Sequence, residues 1–179
     1  MLYFNLLASQ TKSPTAHLNT ISASGSLWGA FVGLFGLDNN QLITLTTEPL
    51  ATPENMTRIR SESMAPTARP RDYTPLSKDG LYVFREFDLA AENIDRLVAL
   101  SVEAWTTFET DAEFQTEPVA LLRQETPLAN TTMTLITWYD GFESWQRSRQ
   151  PNPAAMENFQ QRAALTTATR AIATRLVRD

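Results

Sequence analysis

The sequence predicts an α+β fold built from a βαββαβ unit occurring twice in tandem, with the two sheets packed together. Three observations predict it. Several short segments alternate at period two yet carry apolar residues on both faces, the mark of strands covered on both sides. One long segment, Ile94 to Phe108, carries apolar residues at helical spacing. The two halves echo each other locally. Met1-Leu2-Tyr3-Phe4 parallels Gly80-Leu81-Tyr82-Val83, and Leu42-Ile43-Thr44-Leu45-Thr46 parallels Leu135-Ile136-Thr137-Trp138-Tyr139.

The elements follow in order. Leu2 to Ala8 is a strand, apolar on both faces. Ser13 and Pro14 supply a cap and a first helical residue for a short helix through His17, Leu18 and Ile21. Leu27 to Leu37 is the next strand. Its Gly29, Gly33 and Gly36 make room either for a curving cavity wall or for packed aromatics. Asp38-Asn39-Asn40 is a hairpin turn, returning through a strand from Gln41 to Thr47. Thr52-Pro53-Glu54 reads as a helix start, with the helix running to about Ser61. A short strand near Met64 to Arg69 follows. Pro66, Pro70 and Pro75 then forbid helix. These signals divide the chain into a first unit over 1–70, a linker over 71–79 and a second unit over 80–179.

The second unit is written more plainly. Leu81 to Asp88 is a strand. A helix to about Thr110 follows, with Asp88 as its expected cap and Ile94, Leu97, Val98, Ser101, Trp105 and Phe108 as its stripe. Phe114 to Glu125 is a strand interrupted by Pro118. Thr132 to Tyr139 is a buried strand that stops at Asp140-Gly141, after which Phe142 and Trp145 sit one helical turn apart. Asn152 and Pro153 start another helix, with Met156, Phe159 and Ala163 as its stripe. The tail is ambiguous by composition. Parallelism with the first unit favours a strand from about Arg170 to Val177.

Composition excludes several classes of function. The 179 residues are 42% hydrophobic and 20% charged, ordinary for a globular protein able to bury a core. The chain has no cysteine, which removes disulfides, thiolate metal sites and cysteine nucleophiles. The single histidine, His17, is expected at the surface, so neither a Ser-His-Asp set nor a multi-histidine metal site is expected. No metal site and no cofactor are expected. Net charge is −5, with no dense Lys/Arg cluster, so neither nucleic acid nor an anionic membrane is an expected partner. The apolar N-terminus is too short and too soon polar for a signal peptide. The longest apolar run is well below the roughly 20 residues of a membrane-crossing helix. A cytoplasmic location is the resulting expectation.

The second half resembles the NIPSNAP family of the dimeric α/β barrel superfamily. The likeness rests on Leu81-Tyr82-Val83-Phe84-Arg85-Glu86-Phe87, Thr137-Trp138-Tyr139-Asp140, Phe142-Glu143-Ser144-Trp145-Gln146-Arg147-Ser148-Arg149 and the stretch from Glu157 to Ala163. The first half shares only the order of elements. The resemblance implies ferredoxin-like halves forming an intrachain pseudo-dimeric α/β barrel. It implies little about activity. Related barrels include monooxygenases of quinone-like aromatics and haem-degrading enzymes.

The candidate pocket residues are Tyr82, Arg85, Glu86, Trp138, Tyr139 and Trp28; no catalytic residue is assignable. Arg85 and Glu86 are charges within an apolar strand and point to opposite faces. Arg85 suits an anchor for an anionic substrate and Glu86 a proton-transfer role, unless each reaches solvent or pairs across the sheet. Trp28, Tyr82, Trp138 and Tyr139 suit either an aromatic pocket or ordinary core. Trp138 and Tyr139 also point to opposite faces, and alternation leaves open which one meets a cavity. Arg147, Arg149, Arg162, Arg170 and Arg175 are expected to face solvent. The expected function is binding of a small, largely apolar or aromatic molecule in a barrel cavity, with cofactor-independent oxygenase or isomerase chemistry on it. The alternative is a non-catalytic assembly protein with a filled barrel. A homodimer is compatible with this reading.

Overall fold

Strand alternation and antiparallel pairing carry most of the architecture. The computed structural model describes residues 1–11, 13–23, 25–150 and 152–178. The strands are β1 (Leu2–Ser9), β2 (Leu27–Phe35), β3 (Gln41–Thr46), β4 (Met56–Pro66), β5 (Leu81–Ala90), β6 (Thr116–Gln124), β7 (Asn130–Tyr139) and β8 (Thr166–Val177). The helices are α1 (Leu18–Ser22), α2 (Ile94–Phe108), α3 (Phe142–Arg147) and α4 (Pro153–Ala164). Short 3-10 turns at Pro14–His17 and Ala91–Asn93 lead into α1 and α2.

The strands close into a barrel in the order β1-β3-β2-β8-β5-β7-β6-β4. The first four strands have the order β4-β1-β3-β2. The last four repeat it as β8-β5-β7-β6. This is the α+β, ferredoxin-like arrangement doubled within one chain. Two seams join the sheets. One pairs β2 with β8, Phe31 opposite Leu176, and the other pairs β4 with β6, Ala65 opposite Arg123.

The first four strands depart from the expected pattern at one point. The helix expected from Pro53 to Ser61 is absent. Met56 N donates to Pro53 O at 3.2 Å, and Asn55 takes a left-handed φ of 62°, so the proline starts a turn. Met56 to Pro66 then forms β4, which runs along β1 with Phe4 opposite Glu62. The local helix signal is outcompeted by a long-range ladder without which the barrel would not close. The strand expected near Met64 is the end of this longer one.

Elsewhere the local signals hold with the exception of the α2 cap. Asn152 caps α4, its Oδ1 accepting from Ala154 N at 2.9 Å. Asp88 is not the cap of α2, because β5 continues to Ala90 and a 3-10 turn intervenes. The C-terminal tail is a strand, longer than expected, paired with both β5 and β2.

The barrel interior is packed with side chains. Phe4, Phe31, Tyr82 and Phe84 meet edge to face, with centroids 5.0–6.4 Å apart. Leu2, Ile43, Leu45, Met64, Leu122 and Ile136 complete this cluster. Gly29 belongs to the packing, since a Cβ there would lie 2.9 Å from the Phe31 ring. Outside the barrel, α2 and α4 pack on each other and cover the sheet of β5, β6, β7 and β8. On the other sheet α1 and Leu50 supply a smaller cover over Leu7, Ala30 and Leu42. Among the described residues, no helix is long and apolar enough to cross a membrane.

Candidate functional site

Period-two alternation sends Tyr82, Phe84, Glu86 and Asp88 of β5 into the barrel and Val83, Arg85 and Phe87 toward α2 and α4. On β7 the same rule sends Trp138 inward and Tyr139 outward. The two faces differ in what they enclose.

Inside the barrel every candidate side chain is engaged. Tyr82 is fully buried, donates its hydroxyl to Lys78 O at 2.9 Å and sets its ring against Phe31. Trp138 donates Nε1 to Asp79 O at 2.9 Å and lies under the Lys78 ammonium, 4.7 Å from the ring centroid. Trp28 is buried in the same cluster. Glu86 is clamped between arginines. Arg60 Nη1 donates to its Oε1, and Arg170 Nε donates to its Oε2 at 3.2 Å. Arg60 also forks onto Glu62, and Arg170 onto Asp88. Glu86 is thus a junction of ion pairs between β4, β5 and β8, with both carboxylate oxygens occupied. Among the described residues, aromatic and aliphatic side chains occupy the barrel interior where a cavity was expected.

A cavity of about 210 Å³ lies instead on the outer face of the sheet, beneath α2 and α4. Its floor is Val83, Arg85, Leu135, Thr137 and Tyr139. Its roof is Trp105 and Phe108 of α2 with Met156, Phe159 and Arg162 of α4, and Ser148 and Arg149 stand where the chain leaves α3. Of the candidates read from sequence, Arg85 and Tyr139 meet here, and Tyr82, Glu86, Trp138 and Trp28 do not. The lining mixes aromatic and aliphatic side chains with Arg85, Arg149 and Arg162. The volume is below the roughly 300 Å³ at which drug-sized sites begin, so it suits a compact ligand of one or two rings.

Arg162 was expected at the surface, and it is 5% exposed. It follows Asn158 by four residues and Ala155 by seven, both buried, which puts it on the inward face of α4. That spacing was readable; the charge argued against burial. Its Nη1 donates to Ser101 Oγ on α2 at 3.2 Å. Its guanidinium lies 4.9 Å from the Phe87 ring centroid and 4.8 Å from that of Phe159. Burial, with Arg85 adding to the fall, pulls its pKa down to about 9. Burial first, and then Arg149, also lowers that of Arg85. Among the described residues neither Arg85 nor Arg162 has a carboxylate within ion-pair distance.

The remaining titratable groups do not build a metal centre. Among the described residues, no group of three or more His, Asp or Glu side chains could hold a metal ion. His17 lies at the end of the first 3-10 turn, its Nε2 3.5 Å from Ser9 Oγ, away from this cavity.

No protein-family profile and no curated protein sequence matches the chain. Solved structures do. An anthrone oxidase-like protein superposes with a TM-score of 0.64 at 9% identity, covering 99% of this chain and 91% of that one. A putative monooxygenase from Lactobacillus acidophilus gives a TM-score of 0.56 at 9% identity, over 98% and 93% of the two chains. The heme-degrading enzyme LmHde from Listeria monocytogenes gives 0.53 at 12% identity, over 96% and 98%. At these identities the likeness establishes the fold, the dimeric α/β barrel with ferredoxin-like halves. The cavity does not fit haem: it is smaller than a tetrapyrrole, and the sole histidine does not line it.

Proposed function

We propose that this chain is a NIPSNAP-like small-molecule-binding protein that takes a compact aromatic or largely apolar ligand between its second sheet and α2/α4. The observation that carries the reading is the 210 Å³ cavity, roofed by Trp105, Phe108 and Phe159, beside a barrel interior that is packed. A site enclosed on one side by a rigid sheet and on the other by two helices excludes water and holds a ring in one plane. The chemistry that suits it is cofactor-independent oxygenation or isomerisation of an aromatic. Support comes from the fold shared with an anthrone oxidase-like protein and a monooxygenase-like protein. The units 1–70 and 80–179, joined by 71–79, are read as a duplication that supplies both halves of the barrel from one chain. A cytoplasmic location and, at most, self-association belong to the same reading.

A second reading has its own observation. The filled barrel and the exposed Phe35, whose ring meets Phe142 edge to face at 6.0 Å, favour a non-catalytic assembly protein. Native mass spectrometry of the purified chain separates the two. A retained small molecule, released by denaturation and lost in a variant with the cavity filled, supports the binding protein. A ligand-free chain that also fails to bind any member of a panel of one- and two-ring aromatics supports the assembly reading.

A further inference from the structure

The charges that line the cavity do not balance. Elsewhere Arg60 holds Glu62 and Glu86, Arg69 holds Glu109, and Arg170 holds Asp88 and Glu86, while the half-buried Arg123 donates to the carbonyls of Gln124 and Glu125. Arg85, Arg149 and Arg162 all line one cavity that contributes no carboxylate. A guanidinium carries five donors and does not lose its charge at neutral pH. Arg162, nine-tenths buried, uses one of them on Ser101. Leaving a charge desolvated and unpaired is costly, and a solved fold avoids it unless something else supplies the counter-charge.

A purely structural role explains Arg162 only in part. Its bond to Ser101 staples α4 to α2, and its stacking on Phe87 and Phe159 offsets some desolvation. It does not explain Arg85. That side chain rises from the sheet two residues before Phe87, on the same face, toward a roof that already holds a cation. Two facing cations repel across a low-dielectric gap. A neutral or apolar ligand would fill the volume and leave the repulsion in place. An anion between them removes it.

We infer that the ligand of this cavity is an anion: a one- or two-ring compound whose carboxylate, phenolate or enolate oxygens lie between Arg85 and Arg162, with its ring against Phe159 and Trp105. The inference rests on the cavity being a binding site, as proposed above, and adds the charge of what binds. Arg85 and Arg162 are anchoring residues in it, and Arg149, exposed at the edge of the cavity, draws the anion in. The lowered proton affinities of Arg85 and Arg162 agree with it, since both report a charged form that lacks a partner.

The test uses two probes of the same shape, 2-naphthoate and the neutral 2-acetonaphthone, titrated calorimetrically into the full chain and into Arg85→Met. The expected result is that wild-type protein prefers the naphthoate by at least about ten-fold. Arg85→Met removes that preference, naphthoate losing far more affinity than the ketone, and raises the melting temperature of the ligand-free protein. A structural arginine would lower it. If Arg85→Met does not fold, Arg85→Gln is read in its place. Equal binding of the two probes by wild-type protein overturns the anion and leaves the cavity reading standing. So does a naphthoate preference that survives loss of the Arg85 charge. Failure of both probes to bind, together with a ligand-free native mass spectrum, overturns both.

Discussion

Arg85 and Glu86 are neighbours in sequence, face opposite sides of one sheet and are treated oppositely by the fold. Glu86 is 4% exposed and held from both sides by Arg60 and Arg170. Arg85 opens on a cavity in which no acid meets it. One charge ties β4, β5 and β8 together, and the other is the anchor in the inference above.

The Glu86 junction makes a stability prediction. Glu86→Gln leaves Arg60 and Arg170 without their shared acceptor, although each keeps another carboxylate, Glu62 and Asp88. Both arginines are partly exposed, so solvent screens the loss. The expected cost is about 2 kcal/mol by urea denaturation, below the full penalty for breaking a buried pair. Probe binding in the outer cavity should be unchanged. A variant that folds as stably as wild type but loses ligand would mean Glu86 acts in the site.

Tyr82 makes the protein sensitive to alkali. Burial, and then the nearby Glu117 charge, push its phenol up to about 12. In the unfolded chain a tyrosine ionises near about 10. Between these values the folded state keeps a proton that the unfolded state has released. Its contribution is therefore present below pH 10 and lost as pH rises toward 12, by about 3 kcal/mol at most. Tyr82→Phe gives up the bond to Lys78 O at neutral pH and should show a flatter alkaline limb. Parallel losses in the two proteins, followed by urea midpoints from pH 8 to pH 12, would rule the explanation out.

At low pH the sensitive group is Asp88. The Arg170 hydrogen bonds, against a smaller burial effect, and the Thr132 hydroxyl hold its carboxyl below the ordinary range. A depressed acid adds stability above its unfolded pKa and loses it as pH falls. Asp88→Asn should be less stable at pH 7 by under about 1 kcal/mol, because Arg170 is half exposed. The gap should close toward pH 3. Thermal melts across that range read it directly, and a gap that widens on acidification would contradict it.

Filling the cavity separates binding from folding. Thr137 lies on the cavity floor with little exposure. Thr137→Met extends a flexible apolar chain into open space, so stability should be unchanged or higher by up to about 1 kcal/mol. Naphthoate binding should fall at least about ten-fold. Undiminished binding in a folded Thr137→Met protein would place the ligand elsewhere.

The sequence by itself determined what local periodicity can determine. It specified β1, β2, β3, β5, β6 and β7, the stripe of α2, the Asn152 cap of α4, and the fact that Arg85 parts from Glu86 and Trp138 from Tyr139. These follow from a backbone that alternates every second residue or turns every 3.6. Tertiary structure decided the rest. It made Met56 to Pro66 a strand against its helix signal, because β4 is needed to pair with β1 and β6. It put the open space outside the barrel, because the inward faces carry aromatic rings that fill it while α2 and α4 stand off the outer face around Arg85. It buried Arg162, whose helical position pointed inward and whose charge pointed out. Which face of a strand meets a cavity depends on what packs over it from elsewhere in the chain, and no local pattern carries that information.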